Sequence, residues 1–125
     1  MRRVLVLLSL FLFTSSLPAQ AHAPINVQVS YDHQTQQLTV EMDHMVTNFN
    51  QHFIRLIDIT DGTNSLKKVR YLRQNTRKGF SQTIPIALES GQTIHLNIYC
   101  EKGGVNHATF TVPVVEEVDE KVNSD

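Results

Sequence analysis

Three side chains in this 125-residue sequence carry donor atoms that could bind a transition metal. His44 and His52 flank a polar loop at the start of an apolar, β-branched run, and Cys100, the only cysteine, ends a second such run. Imidazole nitrogen together with thiolate sulfur is a ligand set that suits soft or borderline transition metals. The sequence therefore predicts a small β domain built around a candidate metal centre.

The same three residues also fit a protein that binds no metal. Histidines in polar loops are often solvated surface residues, and a free cysteine is often buried, where it packs as a small hydrophobe. An unpaired cysteine in a small exported domain is nevertheless unusual, because such domains commonly pair their cysteines in disulfides. Ligation of Cys100 to a metal would explain it, since a bound metal also protects the sulfur from oxidation.

The N-terminal segment predicts export. Two arginines precede an apolar run that leads to the small-residue sequence Ala19-Gln20-Ala21. This order is typical of a secretory signal peptide, and the apolar run is shorter than the roughly 20 residues that span a bilayer. We expect residues 1–21 to be removed after Ala21. The product would be a periplasmic or secreted protein that begins at His22 and has no membrane attachment.

The alternation of apolar and polar residues predicts about seven short strands and no helix. The clearest strand covers residues 93–100, where Ile94, Leu96, Ile98 and Cys100 share one face. Pro85 interrupts another run, which favours an edge position or a bulge. The predicted strands cover residues 25–31, 38–42, 53–59, 66–72, 80–88, 93–100 and 108–115. This pattern is typical of an all-β, immunoglobulin-like antiparallel β-sandwich.

We expect one domain over residues 22–115, followed by an acidic, disordered tail over residues 116–125 that is poor in apolar residues. Removal of the signal peptide would leave nine Lys and Arg residues against 12 Asp and Glu residues. This balance argues against nucleic acid or a general membrane surface as a partner. The sequence also lacks a glycine-rich phosphate loop, a Gly-x-Ser-x-Gly turn and a paired-carboxylate signature.

Four segments follow one another in an informative order: His22-Ala23-Pro24, His44, His52-Phe53-Ile54 and Tyr99-Cys100-Glu101-Lys102-Gly103-Gly104. This order resembles the iron domain of desulfoferrodoxin and superoxide reductase over about residues 22–112, which is most of the expected mature chain. The resemblance implies an immunoglobulin-like sandwich that holds one non-haem iron. It also implies that His22, His44 and His52 are equatorial ligands and that Cys100 is the axial ligand. The implied reaction is the one-electron reduction of superoxide to hydrogen peroxide, with an electron donor as partner.

The sequence also departs from the family's pattern. Gly103 stands where the family motif has its last histidine, and His107 lies a few residues further along the chain. The turn over residues 32–37 contains no lysine, whereas the family's catalytic loop usually offers one near the open iron position. The loop from His44 to His52 is longer than in typical superoxide reductases and is more similar to that of exported relatives. The resemblance therefore implies a site with an incomplete ligand set.

Two further hypotheses come from other classes of function. A mature N-terminus at His22 would chelate copper through its amine and imidazole, because nitrogen ligands favour Cu(II) among divalent ions. Alternatively, the domain is a metal-free interaction module that docks an acidic partner through a basic cluster. The cluster contains Lys67, Lys68, Arg70, Arg73, Arg77 and Lys78. These basic residues also fit the simpler role of protecting an edge strand from aggregation.

Overall fold

The computed structural model describes residues 23–116, which form two antiparallel β-sheets and contain no helix. The strands are β1 (Ile25–Asp32), β2 (Gln37–Asp43), β3 (Ile54–Thr60), β4 (Ser65–Arg70), β5 (Gly79–Pro85), β6 (Thr93–Cys100) and β7 (Val105–Thr111). The prediction of an all-β sandwich of about seven strands is confirmed. The predicted signal peptide, His22 and residues 117–125 lie outside the described residues.

The two sheets have the strand orders β1-β2-β5 and β4-β3-β6-β7. Strands β3 and β6 occupy the centre of the larger sheet, where Ile57 pairs with Ile98 and Ile59 pairs with Leu96. All four of these side chains are fully buried. Burial of one such side chain stabilises the fold by about 1.5–3 kcal/mol. The apolar face that the alternation predicts for β6 is therefore the centre of the core.

The strand ends differ from the predicted ones where the chain turns sharply. Strand β7 begins at Val105 and not at residue 108, because a tight hairpin after Cys100 returns the chain at once and pairs Val105 with Tyr99. Strand β5 ends at Pro85 and lies at the edge of its sheet, as the position of this proline indicates. No helix in the described part of the chain is long and apolar enough to cross a membrane.

Two aspartates shape the turns that precede β2 and β4. Asp32 Oδ1 accepts hydrogen bonds from the backbone N–H groups of Gln34 and Thr35 at 2.8 and 3.3 Å, and Asp61 makes two similar bonds in its own turn. These backbone bonds favour the charged carboxylate and lower the pKa of Asp32 and Asp61. The turns therefore favour the ionised form of both aspartates.

Three residues of the basic cluster lie on β4, an edge strand of the larger sheet. Lys68 and Arg70 are exposed, and Lys67 Nζ donates a hydrogen bond to the backbone oxygen of Pro85. Charged side chains on an edge strand oppose pairing with a strand from another molecule. Their placement agrees with the role of edge protection.

Candidate metal centre

The candidate site lies at one end of the sandwich, where three strand ends meet. His44 directly follows β2, His52 precedes the start of β3 by two residues, and Cys100 is the last residue of β6. Strand pairing places Cys100 opposite Ile54 at the start of β3. Because β2 and β3 belong to different sheets, the site bridges the two layers at their common end.

The structure brings His44, His52 and Cys100 together, with one potential ligand atom of each within 4.8 Å of the others. The closest recorded approach is 3.1 Å, between His52 Nε2 and Cys100 Sγ. The two imidazole rings are perpendicular, with their centroids 4.9 Å apart. Two nitrogen donors and one sulfur donor therefore converge on one small volume.

These distances are compatible with a single metal ion. With metal–nitrogen and metal–sulfur bonds of about 2.05 and 2.3 Å, the nitrogen and sulfur lie about 3.1 Å apart at a right angle and about 3.6 Å apart in a tetrahedron. Ligands on opposite sides of the ion would be about 4.4 Å apart. The spacing of up to 4.8 Å is wider than these values, so the group must contract to close on one ion. Its imidazole and thiol donors suit a transition metal.

The three side chains differ in burial. His44 and Cys100 are 2% and 1% exposed, whereas His52 is half-buried. The site is therefore closed on its core side and reaches solvent on the side of His52. A rigid sandwich that holds ligands at its end, with one side open, can admit a small molecule to the centre.

The backbone around Cys100 holds its sulfur in place. The Cys100 N–H donates to the Gly104 carbonyl at 2.7 Å, and the Glu101 N–H donates to the Phe53 carbonyl at 2.9 Å. Burial raises the pKa of the Cys100 thiol, and backbone hydrogen bonds from Lys102 and Gly104 offset only part of this effect. Burial therefore disfavours the thiolate in the metal-free protein, and a metal ion that binds Cys100 as a thiolate must displace its proton.

The loop between the two histidines folds back on itself. The Asn48 carbonyl accepts hydrogen bonds from the N–H groups of His52 at 2.8 Å and Gln51 at 3.2 Å. The Asn48 side chain also accepts a bond from the Asn50 N–H at 3.0 Å. The asparagines of this loop thus form the turn that returns His52 to the vicinity of His44.

Gln74 is a site residue that the sequence analysis missed. It belongs to the connection between β4 and β5, is fully buried, and its side-chain oxygen lies 2.7 Å from His44 Nδ1. Nothing in the sequence marks this glutamine, because it lies 30 residues from His44 and its neighbours are polar. Only the packing of the two loops shows the contact.

His22 lies outside the described residues, but the chain just after it is anchored. Pro24 is fully buried, and its carbonyl accepts a hydrogen bond from Asn106 Nδ2 at 2.8 Å. Asn106 pairs with Ile98, two residues before Cys100. The chain therefore enters β1 beside the end of β6 that carries Cys100. The role of His22 as a ligand stays a prediction.

The structure separates His107 from the site. His107 is exposed on β7, with its Nδ1 2.6 Å from Oδ1 of Asn97, which faces away from the side of β6 that carries Cys100. Gly103 has a φ of 103°, a backbone conformation that L side chains rarely adopt. A histidine there would be strained, so the motif's last ligand is replaced by a glycine turn and not by His107.

Residues 23–116 thus define an antiparallel β-sandwich with a His/His/Cys group that could hold a metal ion. The chain is similar in structure to a variant of superoxide reductase (neelaredoxin) from Ignicoccus hospitalis, with 19% identity and a TM-score of 0.47. The similarity covers 75% of this chain and 81% of that one. Two more structures of that reductase are also similar, each with 18% identity. The first has a TM-score of 0.44 and a similarity that covers 75% of this chain and 81% of the other. The second has a TM-score of 0.43 and a similarity that covers 76% of this chain and 82% of the other.

No protein-family model and no curated protein matches the sequence. The assignment of the site therefore depends on the side chains of His44, His52 and Cys100 and not on these neighbours. Their arrangement fits a divergent form of the site that the sequence resemblance implies.

Proposed function

We propose that the chain is an exported non-haem iron protein that reduces superoxide to hydrogen peroxide. The observation that carries the proposal is the convergence of His44, His52 and Cys100, whose potential ligand atoms lie within 4.8 Å of one another. The resemblance of the segments that contain these residues to the superoxide reductase iron domain supports the choice of iron and of superoxide. His22 is proposed as a further ligand, because the anchored Pro24 keeps the chain near Cys100.

Each residue has a defined part in this proposal. Cys100 would hold the metal as a thiolate after losing its proton, and His44 and His52 would hold it as neutral imidazoles. Ferrous iron held there would supply the electron that superoxide accepts. Two protons from solvent complete the conversion of superoxide to hydrogen peroxide, and an external donor restores the electron. The half-buried edge of His52 gives superoxide its approach.

The charge around the site is mixed. Lys102 follows Cys100 by two residues, and the backbone carbonyl of Lys78 accepts a hydrogen bond from the His44 N–H at 3.1 Å. Both lysine side chains are exposed, and so are the carboxylates of Asp43 and Glu101, which are the chain neighbours of His44 and Cys100. The choice of superoxide as substrate therefore depends on the donor set and on the sequence resemblance, and not on local charge.

The activity can be tested by the stoichiometry of superoxide consumption. The mature protein is loaded anaerobically with ferrous iron and mixed with superoxide, and hydrogen peroxide and dioxygen are both measured. Reduction forms one hydrogen peroxide per superoxide and no dioxygen, whereas dismutation forms equal amounts of the two products. We expect reduction, and its loss in Cys100→Ser. Dismutation, or equal activity in Cys100→Ser, would contradict the proposal.

The matched control is His107→Ala, which removes an exposed imidazole outside the site. Loading the same protein with Cu(II) tests the copper hypothesis, which requires the amine and imidazole of His22. Tight copper binding that is lost when His22 is removed, together with no iron binding, would favour copper carriage. Failure to bind either ion would favour the metal-free interaction module.

Export is tested separately by expression of the full chain in a bacterial host. We expect the protein outside the cytoplasm, with a mass that corresponds to a chain starting at His22. An uncleaved chain in the cytoplasm would overturn this part of the proposal. A product starting at Pro24 would remove His22 from the ligand set but leave export intact.

A further inference from the structure

The buried amide of Gln74 makes three hydrogen bonds next to the candidate metal centre. Its Nε2 donates to the backbone carbonyls of His44 at 2.8 Å and Thr76 at 2.9 Å, and its Oε1 lies 2.7 Å from His44 Nδ1. The residue is 0% exposed. An amide buried in a connecting loop is costly unless its polar atoms are satisfied, and here all of them have partners.

These partners fix which end of the amide faces His44. Backbone carbonyls can only accept hydrogen bonds, so the NH2 group of Gln74 must face the carbonyls of His44 and Thr76. The reversed amide would place its oxygen against two other oxygens and lose both bonds. The oxygen of Gln74 therefore faces His44 Nδ1.

The fixed amide determines the position of the proton on His44. An amide oxygen can only accept, so a hydrogen bond to His44 Nδ1 requires a proton on that nitrogen. In a neutral imidazole the other nitrogen, Nε2, then keeps its lone pair. Without such a partner, the proton of a neutral histidine exchanges between the two nitrogens.

We propose that Gln74 is a positioning residue that holds His44 in its Nδ1–H tautomer and thereby makes Nε2 the metal-binding atom. The choice of ligand atom rests on the proposed function, whereas the tautomer does not require a metal. Hydrogen bonds of this kind orient metal-binding histidines in proteins, and their loss typically lowers metal affinity 10–100-fold.

The backbone of Gln74 makes the arrangement rigid. Its N–H donates to the Phe49 carbonyl at 3.0 Å, so the connection that carries Gln74 is bonded to the loop between the two histidines. The Val46 N–H makes a second link to the Arg77 carbonyl at 2.8 Å. The amide therefore approaches His44 from a loop attached on both sides, which limits how far the ring can turn.

An exposed pair offers a matched control. Asn97 Oδ1 lies 2.6 Å from His107 Nδ1, but no second hydrogen bond within residues 23–116 fixes the Asn97 amide. The Asn97 amide is therefore free to reverse, and solvent reaches His107. We expect His107 to populate both tautomers, in contrast to His44.

The test is nitrogen NMR of the imidazole rings in the metal-free protein at about pH 8.5, two units above the ordinary histidine pKa of about 6.5. The nitrogen shifts and two-bond couplings distinguish a protonated from an unprotonated ring nitrogen. We expect His44 to show a protonated Nδ1 and an unprotonated Nε2. A protonated Nε2, or a mixture like that of His107, would overturn the proposal even if no variant folds.

Variants then test whether Gln74 is the cause. Gln74→Met keeps the approximate size but removes the acceptor, so His44 should lose its tautomer preference and metal affinity should fall 10–100-fold. Asn97→Ala should leave the tautomer of His44 and the metal affinity unchanged. If Gln74→Met keeps both the tautomer and the affinity, Gln74 does not position His44. An Nδ1–H tautomer in a protein that binds no metal would refute the proposed function alone.

Discussion

The protein contains two hydrogen bonds of the same chemical kind in contrasting surroundings. In one, the buried Gln74 oxygen lies 2.7 Å from Nδ1 of His44, and in the other the Asn97 oxygen lies 2.6 Å from Nδ1 of His107 on an exposed sheet face. The lengths are almost equal. A hydrogen bond in water contributes little net free energy, whereas a buried polar group that loses its partner costs about 1–3 kcal/mol.

The comparison teaches that hydrogen bonds of nearly equal length have different consequences in different surroundings. His44 lies beside His52 and Cys100, so its second ring nitrogen belongs to a group of three donors. His107 lies on a face of β7 that points to solvent and to Asn97. Only the pair of Gln74 and His44 lies where it can affect metal binding.

The largest expected difference comes from removing each histidine in turn. His44→Ala should weaken iron binding by more than about 100-fold, since loss of a ligand should exceed the 10–100-fold effect of losing a partner of the ligand. His107→Ala should leave the affinity unchanged. Competition with a chelator of known affinity measures both. Equal effects of the two substitutions would remove the distinction between the pairs.

The next effect concerns the strand that supports the buried pair. A Cβ on Gly79 would lie 2.7 Å from the backbone oxygen of Met42, two residues before His44, so Gly79→Ala must displace β5 or β2. We expect a loss of about 1–3 kcal/mol in the free energy of unfolding and weaker metal binding. Ser81→Ala, at an exposed position on β5, is the control and should stay within about 0.5 kcal/mol of the unsubstituted protein. Denaturant titration measures the stability of both variants. If Gly79→Ala leaves the free energy of unfolding unchanged, the close approach of Gly79 to the Met42 backbone is not needed for stability.

The pH dependence of metal binding should follow the Cys100 thiol. Since burial raises its pKa above the ordinary value of 9.0, the thiol holds its proton at neutral pH and metal binding releases it. The apparent affinity should therefore rise about tenfold per pH unit between roughly pH 7 and 9. Titrations across this range measure the slope. An affinity that does not change with pH would argue against thiolate ligation.

The same raised pKa has an opposite effect on the metal-free protein. A thiol whose pKa is higher in the folded than in the unfolded chain stabilises the fold below about pH 9.0. This contribution is lost as the pH rises through the pKa of the folded protein. Metal-free protein should become less stable in that window, and Cys100→Ser should not share the change. Thermal unfolding at a series of alkaline pH values compares them.

The smallest expected effect is at the exposed pair. Asn97→Ala removes a hydrogen bond that water can replace, so the free energy of unfolding should change by no more than about 0.5 kcal/mol. Metal affinity should not change. A loss well above 1 kcal/mol would mean that the exposed pair also supports the fold, and the contrast with Gln74 would be weaker than we propose.

The sequence predicts the parts of this protein that depend on local pattern. Alternation along β6 places Ile94, Leu96, Ile98 and Cys100 on the buried face, and the structure confirms this placement. The loop positions of His44 and His52, together with the strand-end position of Cys100, predict that the three side chains form one metal-binding group. These features follow from the period of a strand and from where each strand stops.

Other parts depend on contacts between distant segments. Gln74 has no periodic signal, because its burial results from one loop packing on another 30 residues away. The separation of His107 from the site depends on the hairpin after Cys100, which sets the register of β7. In the sequence, Gly103 indicates only a missing ligand, whereas its backbone angle shows that the turn favours glycine at this position.

The central claim is that Cys100, His44 and His52 form one iron site, and anaerobic titration with ferrous iron tests it most directly. We predict about one iron bound per chain and, after oxidation, a thiolate-to-iron charge-transfer band that is absent from Cys100→Ser and retained in His107→Ala. Absence of iron binding, or binding with the same affinity and spectrum in Cys100→Ser, would contradict the account.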